Sequence, residues 1–422
     1  VTTAFLPNCH FFVTTSRGNF MAAAGIITEY NPLHMGHVHL MAEARRLLGP
    51  ETGILCVMSG NYVQRGDFAV AGKHARAAAA VRSGADLVLE LPVPWALSSA
   101  EGFAAGAVEI LKATGAVSHL VFGSEGGDAA PLVRCAEALC SGAFPEALRK
   151  ELKKGDSFPA ARQRALEALL SKEDAAALSR PNDTLGVEYC KALRGSGIQP
   201  VAVLRRGAAH DGADVGDGIA SASAIRALLR KGEEEAALGL CAPAMAEAYR
   251  MEREAGRAPA SLERCERAIL ARLRFLEEAD WAALELGNEG LYRRFFRSSR
   301  SAASLAELLE TVKTKRYPMA RLRRTVFRAY LGLPPAPPEE PAYLRVLAAN
   351  ERGTALLAGM RKTAALPVLT KPAAVRRLGP GARRLFDLEA RADRLYALAC
   401  PDPAAVPDAW RTGPVIVREG AG

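Results

Sequence analysis

Two histidines flank a glycine in the sequence HMGH over residues 34–37, directly after a proline-containing turn. An apolar run over residues 22–27 predicts a buried strand before them, and apolar residues at helical spacing follow from Val38. A helix N-terminus presents unpaired backbone N–H groups and the positive end of the helix dipole, which suit a phosphate. We therefore expect His34 and His37 to donate hydrogen bonds to phosphate oxygens as charge builds on an α-phosphorus. A pair of polar capping residues is the less favoured alternative, because strand, turn, HxGH and helix occur together.

Further polar candidates follow other apolar runs. Gly123 ends one predicted strand, where the missing side chain would let a ligand ring approach the backbone. Asn182 precedes a predicted helix and offers an amide to a nucleotide, whereas Asp67 is a candidate base or metal ligand. Lys73 and Arg76, on a loop and an early helix, are placed to clamp phosphates or a carboxylate. The alternative for each is a turn residue, a helix cap or an ordinary surface charge.

Two arginines and a hydroxyl-rich helix start supply a second set of candidate phosphate ligands. Arg205 and Arg206 follow a predicted strand, and arginine binds phosphate through paired N–H groups. Ser221, Ser223 and Arg226 open the next predicted helix, where hydroxyls, backbone amides and a guanidinium converge. The alternative is a simple serine cap of that helix.

The basic character of the chain is concentrated in one stretch. The whole chain carries a net charge of +9, and residues 291–330 alone hold 11 basic and 2 acidic residues. Basic side chains would neutralise nucleic-acid phosphates, and interleaved aromatic rings would stack on bases. The alternative is a solvated helix whose aromatic residues belong to the core. The candidate RNA-binding side chains are Arg293, Arg294, Lys313, Lys315, Arg316, Arg321, Arg323 and Arg324.

Composition indicates a globular protein with enough chain for two or three domains. Hydrophobic residues make up 49% of the 422 residues and charged residues 24%, and no run of about 18 apolar residues predicts a membrane span. The eight cysteines are scattered without CxxC pairs, which favours reduced thiols in a cytoplasmic protein over disulfides or a zinc site.

Short apolar runs alternate with helical patterns in the first half of the chain. Strands are predicted at residues 23–28, 54–58, 87–91, 120–122 and 201–204. This alternation indicates an α/β fold with a doubly wound parallel sheet, in which ligands bind at the carboxyl ends of the strands. We expect an N-terminal extension over residues 1–20, a catalytic domain over 21–230 and a basic, mainly helical domain over 231–422, with weak strands near 367–369 and 415–417.

Several blocks of the sequence resemble known families. The HMGH site and SASAIR at residues 221–226 resemble the nucleotidyltransferase superfamily related to class I aminoacyl-tRNA synthetases, although Ala222 and Ser223 replace the Ser and Thr usual in its second motif. The closer resemblance is to the bacterial tRNA(Met) cytidine acetate ligase family. It rests on EYNPLHMGH, MSGNYVQRGD, GADLVLELP, FGSE, PNDTLGVEY, SASAIR, NEGLYRRF and KTKRYPMARLRR, in that order from residue 29.

This resemblance implies an activity and a set of ligands. Acetate would be activated by ATP, with Mg²⁺, as acetyl-adenylate, and the acetyl group would pass to the wobble cytidine of elongator tRNA(Met) to form N4-acetylcytidine. It implies no protein partner, no membrane and no protein-bound metal, and the basic side chains listed above would contact the tRNA. The arginine positions are less closely matched, because the loop after Arg206 is shorter than in the family. The implied ATP-binding residues are Ile27, Thr28, Glu29, Tyr30, Asn31, Pro32, Leu33, His34, Met35, Gly36, His37, Val38, His39, Leu40, Gly123, Asn182, Arg205 and Arg206.

Two other functions fit part of the sequence. An adenylyltransferase acting on a small phosphorylated metabolite would use HMGH and SASAIR, but it has no need of the basic stretch. A non-catalytic, nucleotide-regulated RNA-binding protein would use the basic stretch and tolerate loss of both histidines. For the acetyl transfer itself, Glu29 and Asp67 are alternative acceptors of the amine proton.

Overall fold

The computed structural model describes residues 23–155, 157–205, 220–287 and 290–418. The predicted extension at residues 1–20 and the candidate Arg206 lie outside the described residues. Within this part of the chain, no helix is both long and apolar enough to cross a membrane. Six described cysteines are buried free thiols and Cys140 is an exposed one.

One sheet organises the fold. The strands of the protein are β1 (Ala23–Thr28), β2 (Gly53–Ser59), β3 (Tyr62–Val63), β4 (Asp67–Phe68), β5 (Leu87–Leu91), β6 (Val117–Ser124), β7 (Gln199–Leu204), β8 (Leu344–Ala349), β9 (Val368–Leu369) and β10 (Val415–Ile416). The strand order in the sheet is β10-β8-β5-β2-β1-β6-β7, with β9 beside β8, and all neighbours are parallel except β5 and β8. The predicted doubly wound parallel sheet is therefore confirmed, with one antiparallel pairing.

Helices cover both faces of this sheet and form a separate bundle beside it. They are α1 (Met35–Leu48), α2 (Lys73–Arg82), α3 (Val93–Ala96), α4 (Ala100–Thr114), α5 (Ala130–Leu139), α6 (Phe144–Leu152), α7 (Phe158–Glu167), α8 (Lys172–Ala175), α9 (Pro181–Leu193), α10 (Ala222–Lys231), α11 (Glu234–Gly239), α12 (Pro243–Glu254), α13 (Leu262–Phe275), α14 (Glu278–Ala282), α15 (Leu291–Ser301), α16 (Leu305–Val312), α17 (Met319–Leu331), α18 (Glu351–Thr363) and α19 (Pro380–Ala397).

Alternation along β1 separates two hydrophobic cores. Ala24 and Ile26 pack with buried residues of α1, α2 and α10, whereas Ala23 and Ile27 pack with those of α4, α5 and α9. Successive side chains of a strand point to opposite faces, so the two sets of helices lie on opposite faces of the sheet. Strand β1 lies between β2 and β6. From β1 the chain adds β2 and β5 on one side of the sheet and then β6 and β7 on the other, so the direction of winding reverses at β1. In sheets of this kind a crevice opens at the carboxyl ends of the strands at that point.

The helical bundle has a third core of its own. In it Trp281 stacks on Phe295 with ring centroids 5.1 Å apart, and Phe327 of α17 makes edge contacts with Tyr62 and Phe68 of the β3–β4 hairpin. The bundle is thereby packed against a loop that leaves the sheet after β2.

The structure extends the sheet beyond the boundary expected at residue 230. Residues 231–422 are predicted to be mainly helical, yet this range supplies β8, β9 and β10. Only β9 and β10 correspond to expected weak strands, and β8 pairs directly with β5. The division at residue 230 therefore does not separate the sheet from the helical part: the bundle is an insertion between β7 and β8.

Candidate active site

A cavity of about 390 Å³ opens at the carboxyl ends of β1, β6 and β7. The N-termini of α1 and α10 border it on one face of the sheet, and α4 and α9 border it on the other. Residues from all of these elements line it, so segments that are far apart in sequence meet at the winding reversal.

The two histidines of HMGH form the start of α1. The backbone N–H of Gly36 donates to Nδ1 of His34 at 3.1 Å, and the backbone N–H of His34 donates to Nδ1 of His37 at 3.2 Å. Because both Nδ1 atoms accept, each neutral ring carries its proton on Nε2. The ring centroids lie 3.7 Å apart, and both rings line the cavity. The two imidazoles are therefore preset as hydrogen-bond donors to a ligand.

Burial keeps these imidazoles neutral. It lowers the pKa of His34 to about 4, with Arg205 and Arg226 adding repulsion. Burial also lowers the pKa of His37 well below its usual value, with further contributions from His34 and Arg205. At neutral pH both rings are consequently uncharged donors.

The start of α10 faces the same cavity. Ser221 caps this helix by accepting from the backbone N–H of Ala224 at 3.2 Å. Arg226, one turn later, donates to the Asn31 carbonyl at 2.6 Å and to Oγ of Ser223 at 3.2 Å. Two helix N-termini and a guanidinium therefore border one space, an arrangement suited to a polyphosphate.

The ends of β6 and β7 form a third border. Arg205 donates to Oδ1 of Asn182 at 2.9 Å, and Nδ2 of Asn182 donates to Oε1 of Glu125 at 2.6 Å. A Cβ on Gly123 would lie only 3.2 Å from Cγ of Arg205, so a side chain here would press on the arginine. Gly123 and Val203 are register partners, so both face the side of the sheet that carries α1 and α10.

Glu29 lies at the carboxyl end of β1 and lines the cavity. Its Oε1 accepts from the backbone N–H of Gln64 at 2.7 Å. Burial raises the pKa of this carboxyl, although the Gln64 N–H and three arginines oppose the shift. Burial likewise raises the pKa of Asp67, but Asp67 does not line the cavity.

Most of the sequence candidates meet here, and some do not. Lining the cavity are Ile27, Thr28, Glu29, Tyr30, Asn31, His34, Gly36, His37, His39, Leu40, Gly123, Asn182, Arg205, Ser221, Ser223 and Arg226. Pro32, Leu33, Met35 and Val38 belong to the same segment but do not line it. Leu33 is instead fully buried in the core on the α1 face.

Lys73 and Arg76 lie outside the cavity, which corrects their expected place among the phosphate ligands. The Lys73 ammonium is buried and bridges Glu90 at 2.7 Å and Asp393 at 2.6 Å. The Arg76 guanidinium is fully buried and donates to backbone carbonyls, including those of Ala71 and Glu29. Both cations hold loops and helices together. These two basic residues after a strand therefore have a structural role and do not bind a ligand in the cavity.

The sequence gives no sign of one wall of the cavity. We call the apolar wall the set Ala100 and Phe103 of α4, Phe122 of β6, and Leu185 and Tyr189 of α9. Apolar residues that line a cavity have the same periodicity as those that fill a core, so local pattern cannot distinguish them.

The predicted basic stretch forms an exposed surface with few aromatic rings in it. Phe295, Tyr317, Phe327 and Tyr330 are buried, so the core alternative holds for these four rings. Arg321 and Arg324 are half-buried. We call the basic face the exposed side chains Arg293, Arg294, Lys313, Lys315, Arg316 and Arg323.

Helix α17, which carries Arg323 of the basic face, contacts the β3–β4 loop at the edge of the cavity. Arg324 of α17 donates to the Gln64 carbonyl at 3.1 Å, and Gln64 is the residue whose N–H binds Glu29. Gly66 in this loop has a φ of +72°, and a Cβ there would lie 2.6 Å from the backbone nitrogen of Arg324. Only glycine permits this close approach of loop and helix.

Comparison with known proteins places these features in a family. A family model described as HIGH Nucleotidyl Transferase matches residues 21–407. A tRNA(Met) cytidine acetate ligase of Fervidobacterium nodosum is 38% identical over 359 residues, covering 83% of this chain and 84% of that protein. The ligase of Thermotoga petrophila is 37% identical over 396 residues, covering 88% and 94%.

Solved structures agree over nearly the whole fold. The apo crystal structure of Thermotoga maritima TmcAL has a TM-score of 0.88 and 34% identity, covering 94% of this chain and 100% of that one. The structure of TmcAL bound with alpha-thio ATP has a TM-score of 0.86 and 33% identity over the same shares.

Proposed function

The chain belongs to the tRNA(Met) cytidine acetate ligase family of HIGH nucleotidyl transferases, and we propose that it acetylates the wobble cytidine of elongator tRNA(Met). ATP first activates acetate as acetyl-adenylate, and the acetyl group then passes to the exocyclic amine to give N4-acetylcytidine. The observation that carries this proposal is the convergence of two helix N-termini, His34, His37 and Arg226 on one cavity beside the basic face.

The first step needs alignment and charge stabilisation more than a base. Acetate is ionised at neutral pH; one of its oxygens forms a bond to the α-phosphorus while the bond to pyrophosphate breaks. His34 and His37 donate from Nε2 to phosphate oxygens. Arg226 and the N-terminus of α10 stabilise the negative charge on the departing pyrophosphate. Gly123, Asn182 and Arg205 hold the nucleoside part of ATP.

The second step needs a proton acceptor. The cytidine amine attacks the acyl carbon, AMP leaves, and the amine loses a proton. Glu29 lines the cavity, and burial raises its pKa toward neutrality, which makes it a better base than an exposed carboxylate. Asp67 is the weaker candidate, because it lies outside the cavity.

Mg²⁺ would accompany the triphosphate. Among the described residues, no group of three or more His, Cys, Asp or Glu side chains could hold a metal ion. Mg²⁺ commonly binds through substrate phosphates and water, so phosphate oxygens would be its ligands here. There it would neutralise negative charge on the departing pyrophosphate.

The tRNA is held outside the cavity. The basic face supplies cations for the phosphate backbone. Arg324, next to Arg323 of this face, contacts the β3–β4 loop whose Gln64 binds Glu29, so RNA on the face would lie close to Glu29. A base that reacts at its exocyclic amine must leave the stack to enter the cavity.

The test is a labelling reaction with purified protein, ATP, Mg²⁺, radiolabelled acetate and unmodified tRNA(Met) transcript. We expect label in N4-acetylcytidine, and none in a matched transcript whose wobble position is uridine. Pyrophosphate release that requires a different small acceptor, with no label in tRNA, would instead support the metabolite adenylyltransferase.

A further inference from the structure

The cavity has two chemically different halves, one on each face of the sheet. On the face of α1 and α10 lie the imidazoles, Ser221 and Arg226, with Gly123 beside them. On the face of α4 and α9 lies the apolar wall, together with Ile27 of β1. The first half suits a nucleoside triphosphate, whereas the second is mainly apolar beyond Asn182 and Thr184 at the start of α9.

Tyr189 carries the polar group of the apolar wall. Its side chain is 3% exposed and lines the cavity, and its ring meets Phe122 edge-on with centroids 5.6 Å apart. No hydrogen bond joins its hydroxyl to another group of the described residues, and the hydroxyl is not among the buried side-chain atoms without a partner, so it is accessible from the cavity. It can therefore donate to a ligand atom.

The geometry of displacement at the α-phosphorus indicates which group occupies the half of the cavity that contains the apolar wall. Nucleophile and leaving group lie on opposite sides of the reacting phosphorus. Pyrophosphate departs toward the starts of α1 and α10, where the donors are, so the nucleophile approaches from the face of α4 and α9. In the proposed reaction that nucleophile is a carboxylate.

We propose that the apolar wall is the acyl pocket, in which Tyr189 donates a hydrogen bond to a carboxylate oxygen and Phe103 and Phe122 limit the acyl chain to two carbons. This inference rests on the proposed function, because it assigns the place of the carboxylate in that reaction. The methyl group lies against the aromatic rings, and the carboxylate points to the α-phosphorus at the strand ends.

The aromatic rings of the wall are firmly packed. Phe103 and Phe122 are 2% and 4% exposed. Gly186 lets Phe122 lie close to α9, since a Cβ at that position would be 2.8 Å from the Phe122 ring. Burial also raises the pKa of Tyr189, so its hydroxyl remains a donor at neutral pH. An extra methylene would have to displace a buried ring.

The experiment compares acyl donors in two assays, pyrophosphate exchange and nucleoside mass spectrometry after reaction with tRNA(Met). The wild type, offered acetate and propionate together, should form almost only the acetylated nucleoside. Tyr189→Phe should raise the KM for acetate about 10-fold and leave the KM for ATP within about 2-fold. Phe103→Ala should shift the propionate-to-acetate ratio by about 10-fold or more.

Matched controls separate this role from a general loss of packing. Tyr249→Phe removes the buried hydroxyl of a tyrosine in α12, away from the cavity, and should leave the KM for acetate unchanged. Phe103→Leu removes less side-chain volume than Phe103→Ala. It should shift the propionate-to-acetate ratio in the same direction, but by less.

Two results would overturn the inference, and they differ. If Tyr189→Phe and Phe103→Ala raise the KM for ATP while acyl preference stays fixed, the wall holds the nucleotide and only this inference fails. If the wild type forms no acetylated nucleoside and shows no acetate-dependent exchange, the proposed function itself fails.

Discussion

Two buried polar regions of this molecule use the same residue types for opposite purposes. In the first, Lys73 bridges Glu90 and Asp393, and Arg345 contacts Glu90 at 3.2 Å. We call these four residues the buried cluster. Each cation in it has a carboxylate partner from the protein, and together they tie α2 and β5 to β8 and α19.

The cavity contains cations whose hydrogen bonds go to neutral acceptors. Arg205 donates to an amide oxygen, and Arg226 to a carbonyl and a hydroxyl. No ion pair joins either to a carboxylate in the described ranges. Glu125 acts on Arg205, and Glu29 and Asp67 act on Arg226, without forming an ion pair. Both guanidiniums can therefore still bind an anionic ligand, which distinguishes this site from the buried cluster.

The largest expected effect is on the buried cluster. Lys73→Met removes the only ion-pair partner of Asp393 among the described residues and leaves Glu90 with Arg345 alone, so the free energy of unfolding should fall by about 3–5 kcal/mol. Urea denaturation measures this. Lys112→Met, which breaks a partly exposed pair with Glu109, should cost no more than about 1 kcal/mol. Equal losses in the two variants would contradict the contrast.

Substitutions in the cavity should lower the reaction rate more than the stability of the fold. His37→Ala removes one preset donor, so acetate-dependent pyrophosphate exchange should fall about 10²–10³-fold, while the Kd for tRNA stays near that of the wild type. Exchange kinetics and filter binding measure the two quantities. If tRNA binding falls as much as exchange, the division of labour between cavity and basic face is wrong.

The free energy of unfolding should fall in acid because His34 is neutral in the folded protein. The pKa of His34 is about 4 in the folded protein and about 6.5 when unfolded, so the unfolded state binds the extra proton as pH falls below 6.5. This histidine therefore costs about 2 kcal/mol of stability between pH 7 and pH 5. His34→Gln should lose correspondingly less stability over that interval, as measured by urea denaturation at both pH values. An unchanged pH dependence would exclude His34 as a source.

The smallest effect is expected on the basic face. Changing Lys313, Lys315 and Arg316 to glutamine should weaken tRNA binding and lower the slope of log Kd against log salt concentration by about 0.7–0.9 for each lost phosphate contact. Pyrophosphate exchange should remain unchanged. Binding titrations at several salt concentrations test this, and an unaltered slope would place the tRNA elsewhere.

Local signals made the nucleotide half of the site predictable. His34 and His37 are three residues apart at a helix start, and Ser223 and Arg226 are likewise three apart just after the cap residue Ser221, so spacing alone places these side chains near one another. Lys73 could not be assigned in this way, because its partners are 17 and 320 residues away along the chain. The apolar wall was hidden for the same reason, as α4 and α9 meet only in the fold.

Strand β8 shows the same limit for the fold. Arg345 lies near its start and is buried against Glu90, so a charge interrupts the apolar run that would have predicted a strand. Its partner β5 lies more than 250 residues earlier, beyond the reach of any local periodicity.

The position of β8 in the chain has a consequence for biosynthesis. The ribosome makes β5 long before β8, and until residues 344–349 emerge, β5 has a free edge with unpaired N–H and C=O groups. Over the same interval Glu90 and Lys73 lack Arg345 and Asp393. The nascent sheet is therefore incomplete, and the free edge of β5 can pair with a strand of another chain. A chain that ends within the helical bundle should consequently aggregate instead of folding to a smaller enzyme.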